Sequence, residues 1–124
     1  MEEVIVIPCS GMGKSLGSVA REVAYNLQKS RKDVKVICLG SLTAGVEENI
    51  KEIKGKKVFT IDGCKLLCAQ KNVEHYGGKL AESILTVEYL KKTGLSPKGI
   101  IELNEDGNKL AKIIADEISK KIEG

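Results

Sequence analysis

The chain has 124 residues, of which 42% are hydrophobic and 30% are charged, and its formal net charge is +3. A chain of this length usually forms one domain, and this apolar fraction builds a core, which excludes an intrinsically disordered protein. The basic residues are scattered among glutamates and aromatic residues make up only 3%, so neither a nucleic-acid surface nor a base-stacking platform is expected.

The start of the chain and its apolar runs bear on location. Met1-Glu2-Glu3 is acidic where a signal peptide is basic, and the apolar run that follows, Val4 to Ile7, is short. No run approaches the roughly 20 apolar residues that cross a bilayer, so no membrane partner is expected. We therefore expect a cytoplasmic protein. In that reducing compartment its four cysteines are expected to be thiols or metal ligands.

The first part of the chain is predicted to form a strand, a turn and a helix. Residues 3–8 are rich in β-branched residues and end at a proline, which is typical of a buried strand. A glycine-rich turn follows, Cys9-Ser-Gly-Met-Gly-Lys-Ser15. Apolar residues then recur every three or four positions over 15–28, which predicts an amphipathic helix.

A second strand and a second helix are predicted next. The strand covers 34–39 and carries Cys38 near its end. Thr43 is the expected N-cap of the helix, because its hydroxyl can accept a backbone N–H. Apolar residues between Val46 and Ile53 mark the buried face of this helix.

The third unit carries two of the cysteines. A short apolar run at 58–61 predicts a buried strand, which Asp62 ends. A helix is predicted to follow over 64–75. Cys64 and Cys68, four residues apart, then lie on one helical face with their Cβ atoms about 5–6 Å from each other.

The last part of the chain completes the pattern. Residues 83–89 are predicted as a fourth strand from their β-branched content, and 91–98 as a loop. The final helix is predicted over about 106–122, with Leu110, Ile114 and Ile118 as its anchors. This alternation predicts a three-layer α/β fold with a mainly parallel four-stranded sheet and helices on both faces. Right-handed crossovers favour the strand order 2-1-3-4.

This topology would bring the cysteines to one edge of the sheet. Cys9 follows the first strand and Cys38 ends the second, while Cys64 and Cys68 follow the third. Parallel strands end on the same edge, and neighbours are about 4.8 Å apart. Four thiolates form a common tetrahedral zinc site, so the pattern predicts zinc binding. Two alternatives stay open: Cys38 as a buried apolar residue, and Asp62 as either a helix cap or an outer-shell acceptor.

These residues also resemble a known family. Ile61-Asp-Gly-Cys64, followed by Cys68 and Ala69, is similar to the signature of the DGC-domain proteins, a small family proposed to bind zinc. Cys9-Ser-Gly-Met-Gly13 and Cys38 match the remaining part of that pattern. The resemblance implies one DGC-like α/β domain over 1–124 and says little about a reaction. It also implies that zinc is held by four ligands: Cys9, Cys38, Cys64 and Cys68.

A thiol-based enzyme is the main alternative function. Cys9 or Cys64 would be the nucleophile at a helix N-terminus, where the pKa of a thiol is lowered, and another cysteine would resolve the intermediate. Redox chemistry and sulfur transfer both belong to this class. The single histidine, His75, lies about 10 Å along the helix from Cys68, so it is expected to be neither the base nor a ligand.

A nucleotide-binding protein is the third alternative. Residues 8–15 resemble a phosphate-binding loop, because Gly13, Lys14 and Ser15 stand after a strand and before a helix. Pro8 occupies the position of the first glycine of that motif. Proline has no N–H and fixes φ, which impairs the phosphate cradle. A glycine turn that caps the helix explains the same residues.

Overall fold

Strands and helices alternate along the chain in a computed structural model, which describes residues 3–9, 15–37, 39–62, 68–78, 80–98 and 103–123. Within these ranges the strands are β1 (Val4–Pro8), β2 (Val34–Val36), β3 (Lys57–Asp62) and β4 (Leu80–Leu85). The helices in the same ranges are α1 (Ser15–Ser30), α2 (Leu39–Thr43), α3 (Glu47–Gly55), α4 (Cys68–His75), α5 (Glu88–Thr93) and α6 (Glu105–Glu123).

The four strands are parallel and lie in the order β2-β1-β3-β4, so the predicted α/β fold and strand order are confirmed. Helices cover both faces of the sheet. On one face, Asp62 accepts hydrogen bonds from α4, and Ser83 of β4 donates one to Gln70 of α4. On the other face, Glu82 of β4 pairs with Lys121 of α6 at 2.8 Å, and α1 packs against α6.

The core is built from the two central strands and the helices on either side of them. Apolar side chains that leave water here stabilise the fold by roughly 25 cal/mol per Å² of buried apolar surface. The predicted anchors Leu110, Ile114 and Ile118 of α6 are fully buried, which confirms that part of the sequence analysis. The largest fully buried side chains are Ile5, Val6, Ile7, Val19, Val23, Leu27, Leu42, Ile53, Ile61, Leu110, Ile114 and Ile118.

The fourth strand differs from its prediction over 83–89. It runs from Leu80 to Leu85, and the chain then turns into α5. The backbone N–H of Thr86 bonds the carbonyl of Asp62 at 2.8 Å, which ends the ladder, and the N–H of Tyr89 bonds Thr86 at 3.0 Å, which starts a helical turn. The predicted loop at 91–98 is also wrong at its start, because α5 continues to Thr93.

The second strand is shorter than its prediction over 34–39. It ends at Val36, and Leu39 already belongs to α2. This edge strand is anchored by Lys35, whose Nζ lies 2.6 Å from Glu52 of α3. Cys38 lies outside the described residues.

The helix predicted to begin at Thr43 begins later. Thr43 is the last residue of α2, and α3 starts at Glu47 with Val46 in the N-cap position. Val46 makes no side-chain cap, so the expected hydroxyl cap is wrong. Glu47 and Glu48 instead place negative charge in the first turn, where it interacts favourably with the helix dipole.

Helix α4 ends where the sequence predicts. Its last residue is His75, and Gly77 follows with a left-handed φ of +74° that favours glycine. The N–H of Gly77 bonds Glu74 at 3.1 Å and the N–H of Gly78 bonds Val73 at 2.8 Å, which satisfies the last carbonyls of the helix. The start predicted at Cys64 falls in 63–67, outside the described residues.

Candidate metal centre

Cys9 lies at the carboxyl ends of the two central strands. It directly follows β1, and its backbone N–H donates a 2.8 Å hydrogen bond to the carbonyl of Ile61 on β3. This bond extends the β1–β3 ladder by one step beyond the pair formed by Pro8 and Ile61. Cys9 therefore sits beside Asp62, at a strand spacing of about 4.8 Å. Cys9 is buried, with 6% of its surface exposed.

Asp62 joins the end of β3 to the start of α4. Its carboxylate accepts the backbone N–H of Ala69 at 2.8 Å and that of Gln70 at 3.2 Å. These N–H groups belong to the first turn of α4, where the helix itself offers no acceptor. The cap expected at Asp62 is thus confirmed, although it is supplied from the preceding strand and not from the residue before the helix.

Asp62 is 1% exposed, and its burial raises the pKa of its carboxyl group above the usual range. The hydrogen bonds from Ala69 and Gln70 act in the opposite direction, because they stabilise the charged form. The backbone of Asp62 is also held, since its carbonyl accepts the N–H of Thr86 at 2.8 Å and its hydroxyl at 3.3 Å. Asp62 is therefore fixed from both sides.

Cys68 is the first residue of α4 and is exposed. Its carbonyl accepts a 2.8 Å hydrogen bond from the side-chain amide of Asn72, one turn further along the helix. The next residue, Ala69, donates to Asp62. Since Cys9 is the ladder neighbour of Asp62, both described cysteines flank the end of β3.

A comparison of the sequence with known protein families gives a match that includes Cys9, Asp62 and Cys68. The DGC domain family matches residues 5–116, which is nearly the whole chain. The chain belongs to the DGC-domain family. No curated protein and no solved structure shows significant similarity to it. In this DGC-domain protein, the aspartate of the Asp-Gly-Cys signature is the residue that caps α4.

Two of the four predicted ligands of this DGC-domain protein, Cys38 and Cys64, lie outside the described residues. Within the described ranges, no group of three or more histidine, cysteine, aspartate or glutamate side chains is arranged to hold a metal ion. Those ranges contain only Cys9 and Cys68 of the predicted set. The four-cysteine site therefore stays a prediction.

His75 lies at the opposite end of α4 from Cys68, so the helix separates them by about 10 Å. Its ring packs edge-to-face on Tyr76, with the ring centroids 4.8 Å apart. The proposed phosphate-loop residues 10–14 lie outside the described residues. The described flanks are Pro8, which ends β1, and Ser15, which begins α1.

The sequence analysis missed a second hydrogen-bonded link between α4 and the sheet. The hydroxyl of Ser83 on β4 donates a 2.7 Å hydrogen bond to Oε1 of Gln70, whose amide in turn donates to Glu74 at 3.0 Å. Ser83 pairs with Thr60 across the sheet, so it faces the same layer as Asp62. A polar residue in the middle of a strand was the available signal, but the strand's register was needed to show which helix it faces.

The helices of this DGC-domain protein also bear on membrane association. In the part of the chain that the structure describes, none of them combines the length and the apolar composition needed to span a bilayer. The longest is α6, with 19 residues, and its exposed face is rich in lysine and acidic residues.

Proposed function

We propose that this DGC-domain protein binds one zinc ion through its four cysteines at the carboxyl edge of the sheet. The proposed ligands are Cys9, Cys38, Cys64 and Cys68. The observation that carries the proposal is the carboxylate of Asp62, which ties the first turn of α4, and with it Cys68, to the strand end beside Cys9. Membership of the DGC-domain family supports the same set, because all four cysteines lie within the matched residues 5–116 and the resemblance of the sequence implies them as ligands.

The chemistry of these residues suits a soft divalent metal. Thiolates bind zinc at about 2.3 Å, and four of them complete its tetrahedral coordination without an open position. Bound zinc would join segments of the chain that are far apart in sequence. Since each ligand must lose its proton, we expect zinc affinity to fall as the pH is lowered.

The role of the ion follows from the accessibility of its ligands. Cys9 is buried, whereas Cys68 is exposed. A competing ligand can reach an exposed thiolate, so we favour an exchangeable ion, as in a metal carrier or sensor, over a purely structural one. A reducing compartment such as the cytoplasm, which we propose as the location, would keep these thiols available.

A thiol-based redox or sulfur-transfer enzyme that uses Cys9 or Cys64 is the second candidate. The observation that supports it is the exposure of Cys68, because a resolving cysteine must be accessible to the intermediate. The burial of Cys9 argues against that residue as a nucleophile, because a nucleophile must meet its substrate while a metal ligand need not be exposed.

Metal content and thiol reactivity together test the proposal. Protein purified without added metal should contain one zinc ion per chain, and its thiols should react with a thiol reagent only after a chelator is added. Changing Cys68 or Cys9 to serine should lower the zinc content, because an alcohol is a poor ligand for a soft metal. His75→Ala is the matched control, since His75 is a ligand-type residue on the same helix and outside the proposed set.

Each other result has a definite meaning. Metal-free protein with one unusually reactive thiol would favour the enzyme that uses thiol chemistry. Nucleotide binding that survives chelation would favour the phosphate-loop alternative. Zinc content that is unchanged in Cys9→Ser and Cys68→Ser but lost in His75→Ala would overturn the proposed ligand set.

A further inference from the structure

We propose that Asp62 is the positioning residue of this metal site: its carboxylate holds Cys68 in place for the ion and does not itself bind the ion. The inference rests on the proposed zinc function and adds a residue to it. It starts from the hydrogen bonds of a single buried side chain.

Both carboxylate oxygens of Asp62 are already engaged. Oδ1 accepts the N–H of Ala69 at 2.8 Å, and Oδ2 accepts the N–H of Gln70 at 3.2 Å. Asp62 is 1% exposed, so its carboxylate is shielded from water. The four proposed thiolates already complete the tetrahedral coordination of zinc, so the site does not require this carboxylate as a ligand. Its two donors are the residues that directly follow Cys68, so the bonds fix the backbone at that cysteine.

The same bonds close a short stretch of chain. Asp62 stands before residues 63–67 and Ala69 stands just after Cys68, so the contact between them joins the two ends of the segment that carries Cys64. Fixing the ends of a segment lowers the conformational entropy that its residues lose when they bind a ligand. Asp62 therefore increases metal affinity without touching the metal.

Helix α4 has other attachments to the sheet, which separates this role from general stability. Ala69 and Val73 are fully buried, and Gln70 accepts the 2.7 Å hydrogen bond from Ser83. These contacts keep the helix packed when the carboxylate is removed. We therefore compare substitutions at Asp62 with a substitution in the core that lowers the free energy of unfolding by the same amount. The substitution at Asp62 should reduce metal affinity more.

The test compares Asp62→Ala, Asp62→Asn and the core variant Ile118→Val, which lies on α6 across the sheet. Zinc affinity is measured by competition with a chelator of known affinity, and the free energy of unfolding is measured on the zinc-free proteins. Asp62→Ala should bind zinc about 10–100-fold more weakly, the range typical of outer-shell residues. Asp62→Asn should lose less zinc affinity than Asp62→Ala, because the amide oxygen of asparagine still accepts one N–H. Ile118→Val should stay within about 3-fold of the original protein, because its mutation removes one methylene far from the site.

Cobalt in place of zinc separates a positioning residue from a ligand. At saturation, Asp62→Asn should give the same thiolate-to-cobalt charge-transfer and d–d bands as the original protein, with more cobalt needed to reach them. A changed spectrum at saturation would make Asp62 a ligand and overturn the proposal. Equal affinity in all variants of a zinc-binding protein would also overturn it. If the original protein binds no zinc, the proposed function itself fails. If Asp62→Ala does not fold, Asp62→Asn decides by the same two measurements.

Discussion

Arg31 and Asp33 form a bidentate ion pair in the turn between α1 and β2. The guanidinium Nε lies 2.9 Å from one carboxylate oxygen and Nη2 lies 2.8 Å from the other. The remaining nitrogen, Nη1, donates to the hydroxyl of Ser119 at 2.8 Å and to Glu123 at 3.0 Å, both on α6. Because the side chains of the pair are only 12% and 8% exposed, water screens it little. The pair thus links this turn to the far end of the chain.

Replacing Arg31 should destabilise the protein, and the loss should be larger for the substitution that removes more of its hydrogen bonds. We expect Arg31→Ala to lower the free energy of unfolding by about 1–3 kcal/mol, since it leaves the half-buried carboxylate of Asp33 without its partner. Arg31→Lys should cost less, but still about 1 kcal/mol, because a lysine cannot form the paired bonds. Urea unfolding measures both. Lys109→Ala is the control: it removes the exposed pair with Glu105 and should cost less than about 0.5 kcal/mol. Equal effects at the two sites would contradict this account.

The same pair should make stability depend on pH in the acid range. The hydrogen bonds from Arg31 lower the pKa of Asp33, and burial opposes them only in part. The unfolded chain therefore binds a proton at Asp33 at higher pH, near 4, than the folded protein does. The stabilisation is complete above that pH and is lost as the pH falls through the lower, folded pKa. The difference in unfolding free energy between the original protein and Asp33→Asn should shrink below about pH 4. A constant difference from pH 7 to 3 would rule this out.

Two adjacent isoleucines of α6 give a direct test of the core. Ile114 is fully buried, whereas Ile113 is 38% exposed. Ile114→Ala should lower the free energy of unfolding by about 2–5 kcal/mol, because it removes buried apolar surface and leaves a cavity. Ile113→Ala, with the same chemical change on the same helix, should cost less than about 1 kcal/mol. A loss below about 0.5 kcal/mol at Ile114 would mean that α6 does not contribute to the core.

A second matched pair tests the contact between α3 and the end of α4. A methyl group added at Gly78 would lie 2.7 Å from Cγ1 of Val73 and 3.1 Å from Cδ1 of Ile53, and both side chains are fully buried. Gly78→Ala should therefore cost about 1–3 kcal/mol through overpacking. Gly55→Ala, at the end of α3, meets nothing within 4 Å and should be neutral or stabilise by up to about 1 kcal/mol. Thermal unfolding of the two variants side by side measures the contrast.

The sheet could be predicted because, for most elements, the spacing of apolar residues and the amino-acid composition indicate the same secondary structure. Each central strand is a continuous apolar run, and each long helix has a regular stripe, so local and tertiary preferences coincide. They disagree at residues 86–89, Thr-Val-Glu-Tyr, where β-branched residues favour a strand. There the backbone turns after Thr86, and burial of Tyr89 in the turn of α5 decides the structure. Tertiary contacts override local propensity at this point.

The sequence could predict those parts of the candidate site whose position depends only on the order and direction of the strands. Cys9 and Asp62 follow from strand ends that a parallel sheet brings together. The bond between Ser83 and Gln70 depends on the register of β4, and the contact between Arg31 and Ser119 joins residues 88 positions apart. Neither has a local sequence signal. Long-range polar contacts of this kind require the packed structure.

The edges of the sheet have a consequence for how the protein behaves in concentrated solution. An edge strand exposes unpaired backbone groups on which a strand from another molecule can add, and this is a common start of aggregation. Here β2 has only three residues, and Lys35 within it is paired with Glu52. At the opposite edge of the sheet formed by the described residues, β4 carries Glu82, which is paired with Lys121. An incoming strand would meet a charged side chain at each edge of this described sheet, so β2 and β4 are poor templates for intermolecular β-structure.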